Sequence, residues 1–157
     1  MFPFRKKNTE PTSDINEDNI APGYLFMRLA MGANMLPHGA MRFQNLDGFA
    51  TGVAEQFAEV AFFGLTVIPY DLAYAYAIVL CFVEALIGIL LLVGWQVRSA
   101  ALAGGFMMVT LMFGKALQAA WSTVGSMWMY LIFFFFIAVL VRYDRYSLDR
   151  WIKNRKS

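Results

Sequence analysis

Charge is sparse in this chain. Lysine, arginine, aspartate and glutamate make up 15% of its 157 residues, where a soluble domain carries about 25%. Cysteine is scarcer still. The lone Cys81, set within an apolar run, can form neither an internal disulfide nor a CxxC pair, which excludes thiol–disulfide exchange within this one chain; it reads as a small buried hydrophobe. One histidine, His38, leaves no second imidazole for the paired axial ligands of a b-type haem. No carboxylate stands beside it at metal-ligand spacing, so no metal site is expected. The 10 methionines read as helix packing. No phosphate loop, nucleophile triad or nucleic-acid signature is present.

Apolar sequence fills the chain instead, 59% of it hydrophobic. It falls into four stretches of the length a helix needs to cross a bilayer, about 20 residues. Span one runs from Ala21 to Met41, with Pro22 suited to a first turn and Pro37 placed to kink or stop its far end. Span two runs from Leu72 to Gly94 and leads through the tight turn WQVRS, with Trp95 at the interface, into span three, Val97 to Ala119. Gly104, Gly105 and Gly114 there permit close helix packing. Span four, Trp121 to Val141, contains the run Phe133–Phe136, a lipid-facing or packing surface. Between spans one and two, Phe49, Val53, Phe57, Val60 and Ala61 recur at helical spacing opposite Glu55, Gln56 and Glu59. That is the pattern of an amphipathic helix lying in the interface, ended by Gly64 and Pro69. The expected fold is all-α: a four-helix transmembrane bundle, residues 21–141, with an additional amphipathic interfacial helix between spans 1 and 2. A polar tail, residues 1–20, precedes it, and a basic amphipathic tail, residues 142–157, follows. No internal repeat accompanies the hydropathy pattern.

The first twenty residues have a basic start but no apolar core before Pro11 and no small-residue cleavage site, so span one is expected to act as an uncleaved signal anchor. The N-tail, the turn containing Arg98 and the C-tail hold ten of the 13 basic residues. The opposite side offers only Arg42, beside Asp47, Glu55, Glu59 and Asp71. The positive-inside rule then places both termini in the cytoplasm.

Four ionisable residues break the spans: Arg28, His38, Glu84 and Lys115. Charged groups in hydrocarbon cost roughly 2.5–3.5 kcal/mol each on insertion scales, so they mark candidate sites. At a rise of about 1.5 Å per residue, Arg28 lies roughly 10 Å and Glu84 roughly 15 Å from the cytoplasmic face. An Arg28–Glu84 pair is therefore within reach, either as an ion pair fixing helix register or as a proton-handling, catalytic pair. His38 and Lys115 fall at similar depth near the outer face, and Arg42 sits one turn beyond His38 on the same side. These three are expected to line an electropositive pocket under the amphipathic helix, closed by Glu55, Glu59 or Asp71. It would bind a quinone oxygen or an anionic substrate; the competing reading is snorkelling to water and lipid phosphate.

Two stretches resemble the DoxX family of small four-span membrane proteins. RLAMGANMLPHGAMRF, Arg28 to Phe43, is similar to the family's first-span pattern of Arg-Leu, a glycine, then His-Gly and a basic residue. FVEALIGILLLVGWQVRSAALAG, Phe82 to Gly104, is similar to its span-two glutamate, Gly-Leu-rich run, arginine turn and Ala-rich third span. The resemblance covers nearly all of residues 24–141. It singles out Arg28, His38, Gly39, Arg42 and Glu84, with Arg42 standing where the family commonly has lysine. What it implies is residence in the bacterial cytoplasmic (inner) membrane and, as in some relatives, a role beside thiosulfate:quinone oxidoreductase, oxidative-stress or sulfur-metabolism partners. The function expected is a quinone-interacting redox accessory subunit, not a complete enzyme, with a soluble or membrane oxidoreductase as partner. Glu84 and Arg28 would handle protons; His38, Arg42 and Lys115 would hold the quinone. Self-association through Gly88, Gly104 and Gly105 is open. Two other readings stand: a non-catalytic scaffold recruiting a partner enzyme, and a small anion or proton transporter, against which the missing inverted repeat counts.

Overall fold

A computed structural model of the protein describes residues 17–62 and 65–156. In chain order it comprises α1 (Glu17–Arg42), a 3-10 turn (Phe43–Asn45), α2 (Leu46–Ala58), the short strands β1 (Ala61–Phe62) and β2 (Leu65–Thr66), α3 (Tyr70–Val93), α4 (Val97–Leu117), α5 (Trp121–Val139), a second 3-10 turn (Leu140–Tyr143) and α6 (Leu148–Lys156). The all-α expectation holds apart from the two-stranded antiparallel pair, in which Ala61 faces Thr66 and Phe62 faces Leu65. The amphipathic helix therefore ends at Ala58, before Val60 and Ala61, where β-branched and aromatic residues favour extended chain. The expected stop at Gly64, and the tail up to residue 16, lie outside the described residues.

Among the described residues, three segments are long and apolar enough to cross a membrane: α3, α4 and the run Trp121–Arg155 that contains α5. The α1 helix has 26 residues and keeps both Pro22 and Pro37 inside it, so Pro37 does not stop it. Its polar interruptions keep it out of that group.

Helices α1, α3, α4 and α5 close a ring in which each packs on the next and α5 returns to α1, while α2 lies against α3. The α1–α3 seam is made of small residues. A Cβ added at Gly39 would stand 2.5 Å from the Ala85 amide and 2.6 Å from the Cys81 carbonyl, and one at Gly88 would stand 2.5 Å from the Leu36 amide. These two backbones touch because no side chain intervenes. Gly104 receives the ring of Phe134, and Gly114 that of Phe57. Of the Phe133–Phe136 run only Phe134 is buried; the others join Phe26, Phe82, Phe106 and Phe113 in an exposed apolar belt, the surface that hydrocarbon would cover.

Candidate functional site

The polar interior falls into two clusters, and they divide the sequence candidates differently from the expectation. Arg28 is 2% exposed. Its Nη1 donates to the Leu91 carbonyl at 2.6 Å, its Nη2 to the Tyr146 carbonyl at 3.1 Å, and its Nε lies 3.8 Å from Asp144 Oδ2. The expected Arg28–Glu84 pair does not form. The physical reason is the end of α3. The Gly94 and Trp95 amides both donate to the Leu90 carbonyl, which leaves Leu91 among the carbonyls that a helix C-terminus cannot satisfy. A guanidinium suits that end of the dipole. The C-terminal segment folds back beneath it. Asp149 accepts from the Gln96 and Val97 amides at 3.0 and 3.1 Å, capping α4, and its own amide donates to the Gly94 carbonyl at 3.2 Å. Burial pushes the Asp144 carboxyl above the usual carboxylate range, against the pull of the Arg28 guanidinium. The sequence reading of this tail as basic and amphipathic misses both aspartates; two acids within RYDRYSLDR were the available signal.

The second cluster surrounds a cavity of about 430 Å³ walled by α1 to α5, and it brings His38, Arg42, Glu84 and Lys115 together. Arg42 Nη1 donates to Glu84 Oε2 in an ion pair in which the glutamate side chain is 3% exposed and the arginine 27%. The guanidinium also lies 4.4 Å over the centre of the Phe49 ring, a cation–π contact. Lys115 Nζ donates to Gln56 Oε1 at 3.0 Å and Gln118 Oε1 at 2.9 Å. His38 Nδ1 lies 3.2 Å from the Asn34 carbonyl. A carbonyl only accepts, so Nδ1 carries the hydrogen and Nε2 is left for another partner.

The pocket expected under the amphipathic helix is thus present, but its closure differs. Gln56 and Phe57 of α2 line it, while Glu55, Glu59 and Asp71 are exposed. Helical geometry explains this: Phe49, Val53 and Gln56 share one face at offsets of four and three, and Glu55 is turned away by a third of a turn. Residues not foreseen also line the cavity, notably Tyr76, Thr110, Ser126 and Tyr130. The spacing Tyr76–Leu80–Glu84 is a regular i, i+4, i+8 row, and read from Glu84 it points to Tyr76. Thr110 donates its one hydroxyl hydrogen to the Met107 carbonyl at 2.8 Å, so in the 2.8 Å contact between the two hydroxyls Tyr76 is the donor. Apolar side chains supply most of the remaining wall. Arg42 and Glu84 offset each other's charge and Lys115 adds a cation, so the arrangement suits a compact group bearing acceptor oxygens.

Similarity to known proteins rests on one finding. The DoxX family model matches residues 23–115, a stretch that includes Arg28, His38, Gly39, Arg42, Glu84 and Lys115. No curated protein and no solved structure matches the chain.

Proposed function

We propose a function from the premise that this chain belongs to the DoxX family: it is an integral membrane protein whose cavity holds a quinone headgroup in the service of a partner oxidoreductase. Helices α1, α3, α4 and α5 are the four spans, and α2 with its hairpin lies in the outer interface of a bacterial inner membrane. The balance of basic residues supports cytoplasmic termini.

The observation that carries the reading is the cavity itself. It gathers His38, Arg42, Glu84 and Lys115 beneath α2 in otherwise apolar walls, and polar groups inside a membrane protein that face such a space are functional candidates. Lys115 has three donors, two of them spent on Gln56 and Gln118; the third is free for a quinone oxygen. His38 Nε2 offers a second polar contact. Arg42 and Glu84 position each other, and Glu84 is the group placed to hold or pass a proton. A bound quinone supplies two-electron, two-proton acceptor chemistry. With one cysteine and one histidine in the chain, electrons would come from the partner. Arg28, far along the bundle, is assigned to the scaffold. A second reading, a partner scaffold without a ligand, is supported by the two internal ion pairs, which by themselves fix the register of α1 against α3 and the C-terminal segment.

The test is gentle purification from native membranes with mass spectrometry of extracted quinone and co-purifying proteins. Wild type is expected to retain near-stoichiometric quinone, and the double variant His38→Ala/Lys115→Ala to lose it. Equal quinone in both would sink the reading.

A further inference from the structure

On its lipid side the cavity is closed by a thin wall. A second hollow of about 560 Å³ lies on the outer surface between α3 and α4, bounded by Leu72 and Ala73 on one side and Val109 and Phe113 on the other. Four residues line both spaces: Phe57, Tyr76, Thr110 and Gly114. One layer of side chains divides them. Two contacts make up that layer, the Tyr76–Thr110 hydrogen bond and the Phe57 ring seated on Gly114, where an added Cβ would stand 2.7 Å from it. On its outer side the hollow is open, with Leu72 60% and Phe113 63% exposed.

We infer that the ligand is lipid-tailed, and that its chain leaves the cavity sideways past Tyr76 and Thr110 to lie in this groove. The inference rests on the quinone reading above and narrows it to a tailed molecule. The groove is apolar apart from the two hydroxyls, and those stand on its inner wall, facing the polar cavity. An ordinary phospholipid is a poor fit, because its polar end belongs at the bilayer surface whereas the polar end of this groove points into the bundle. A molecule with a compact polar ring and a long hydrocarbon chain has the required order of parts. The cavity accommodates the ring; the groove takes the chain, which gains van der Waals packing against fixed walls rather than transfer from water, because the surrounding lipid is equally apolar.

Binding to the full chain in lipid nanodiscs tests this, using a dimethoxy-methyl-benzoquinone without a tail and the same ring bearing a decyl tail, with concentrations counted per volume of membrane. Val109→Trp and Leu72→Trp fill the groove from lipid-facing positions that do not line the cavity. Phe113→Ala removes a groove wall without overpacking. Wild type is expected to favour the tailed ring by at least about tenfold, equivalent to 1.4 kcal/mol, and each variant to lose that preference while binding the tailless ring as wild type does. Equal binding of the two rings by wild type, or a preference that survives all three variants, overturns the groove and leaves the quinone reading intact. Loss of tailless binding in variants that stay folded also overturns it, because the groove would then not be a separate tail site. If neither ring binds wild type, the quinone reading and the groove fall together.

Discussion

Arg42 and Glu84 differ in what each leaves behind when the other is removed. Without Arg42, the glutamate, 3% exposed, is an unpaired charge in a low-dielectric interior, a loss that costs about 3–5 kcal/mol for buried pairs. Without the glutamate charge, Arg42 still lies over Phe49 and reaches the cavity mouth. Arg42→Ala is therefore expected to lower thermal stability in detergent more than Glu84→Gln does, and Arg42→Gln/Glu84→Gln to recover part of the loss. Equal losses in the two single variants would show that the pair acts only through register. Glu84 was legible in the sequence as a costly residue at mid-depth. Its partner was not, because depth along one helix says nothing about which face of another helix it meets. Arg28 shows the same limit: Asp144 lies 116 residues away, and only the fold-back of the C-terminal segment brings it near.

Packing of whole helices depends on places where a side chain is missing. Gly39 and Gly88 let α1 and α3 touch, which sets the distance between Arg42 and Glu84. Gly39→Ala or Gly88→Ala is expected to cost about 1–3 kcal/mol by overpacking and to weaken quinone retention with it. Gly52, with nothing within 4 Å of an added Cβ, is the control, and Gly52→Ala should stabilise α2 by about 0.5–1 kcal/mol. Similar effects at all three positions, read by thermal unfolding, would count against the seam. The start of α4 depends on Asp149 instead. Asp149→Ala frees the Gln96 and Val97 amides at the start of α4 and is expected to cost about 0.5–2 kcal/mol, as loss of a helix cap does, with α6 becoming accessible to protease. Intact α6 in that variant would mean that Arg28 alone holds the tail.

At the scale of the whole molecule the two polar clusters sit at opposite ends of the bundle, one beside the C-terminal segment and one beneath α2. The proposed orientation puts the C-terminal segment at the cytoplasmic face. Because Cys81 is buried and is the only cysteine, a Cys81→Ala background is clean for labelling. Ser99→Cys is expected to resist a membrane-impermeant maleimide in intact cells, and Ala119→Cys to react. The reverse pattern would invert the topology and place the cavity at the cytoplasmic face.

Four long helices, most of their ends to within a few residues, the amphipathic α2 and the set of costly polar residues were legible in the sequence, while the end of α2 at Ala58 and the helix α6 were not. Hydropathy and helical period are local properties, and a bilayer-length apolar run admits few other structures. Family membership was also readable there, in the motif from Arg28 to Phe43. The tertiary structure decided the pairings: Arg42 with Glu84, Arg28 with the α3 C-terminus and Asp144, Gln56 rather than an acidic residue over Lys115. It also decided that His38, Arg42, Glu84 and Lys115 share one cavity while Arg28 does not. Those outcomes depend on helix rotation and on where the chain returns after α5, and both are settled by packing between residues remote in sequence.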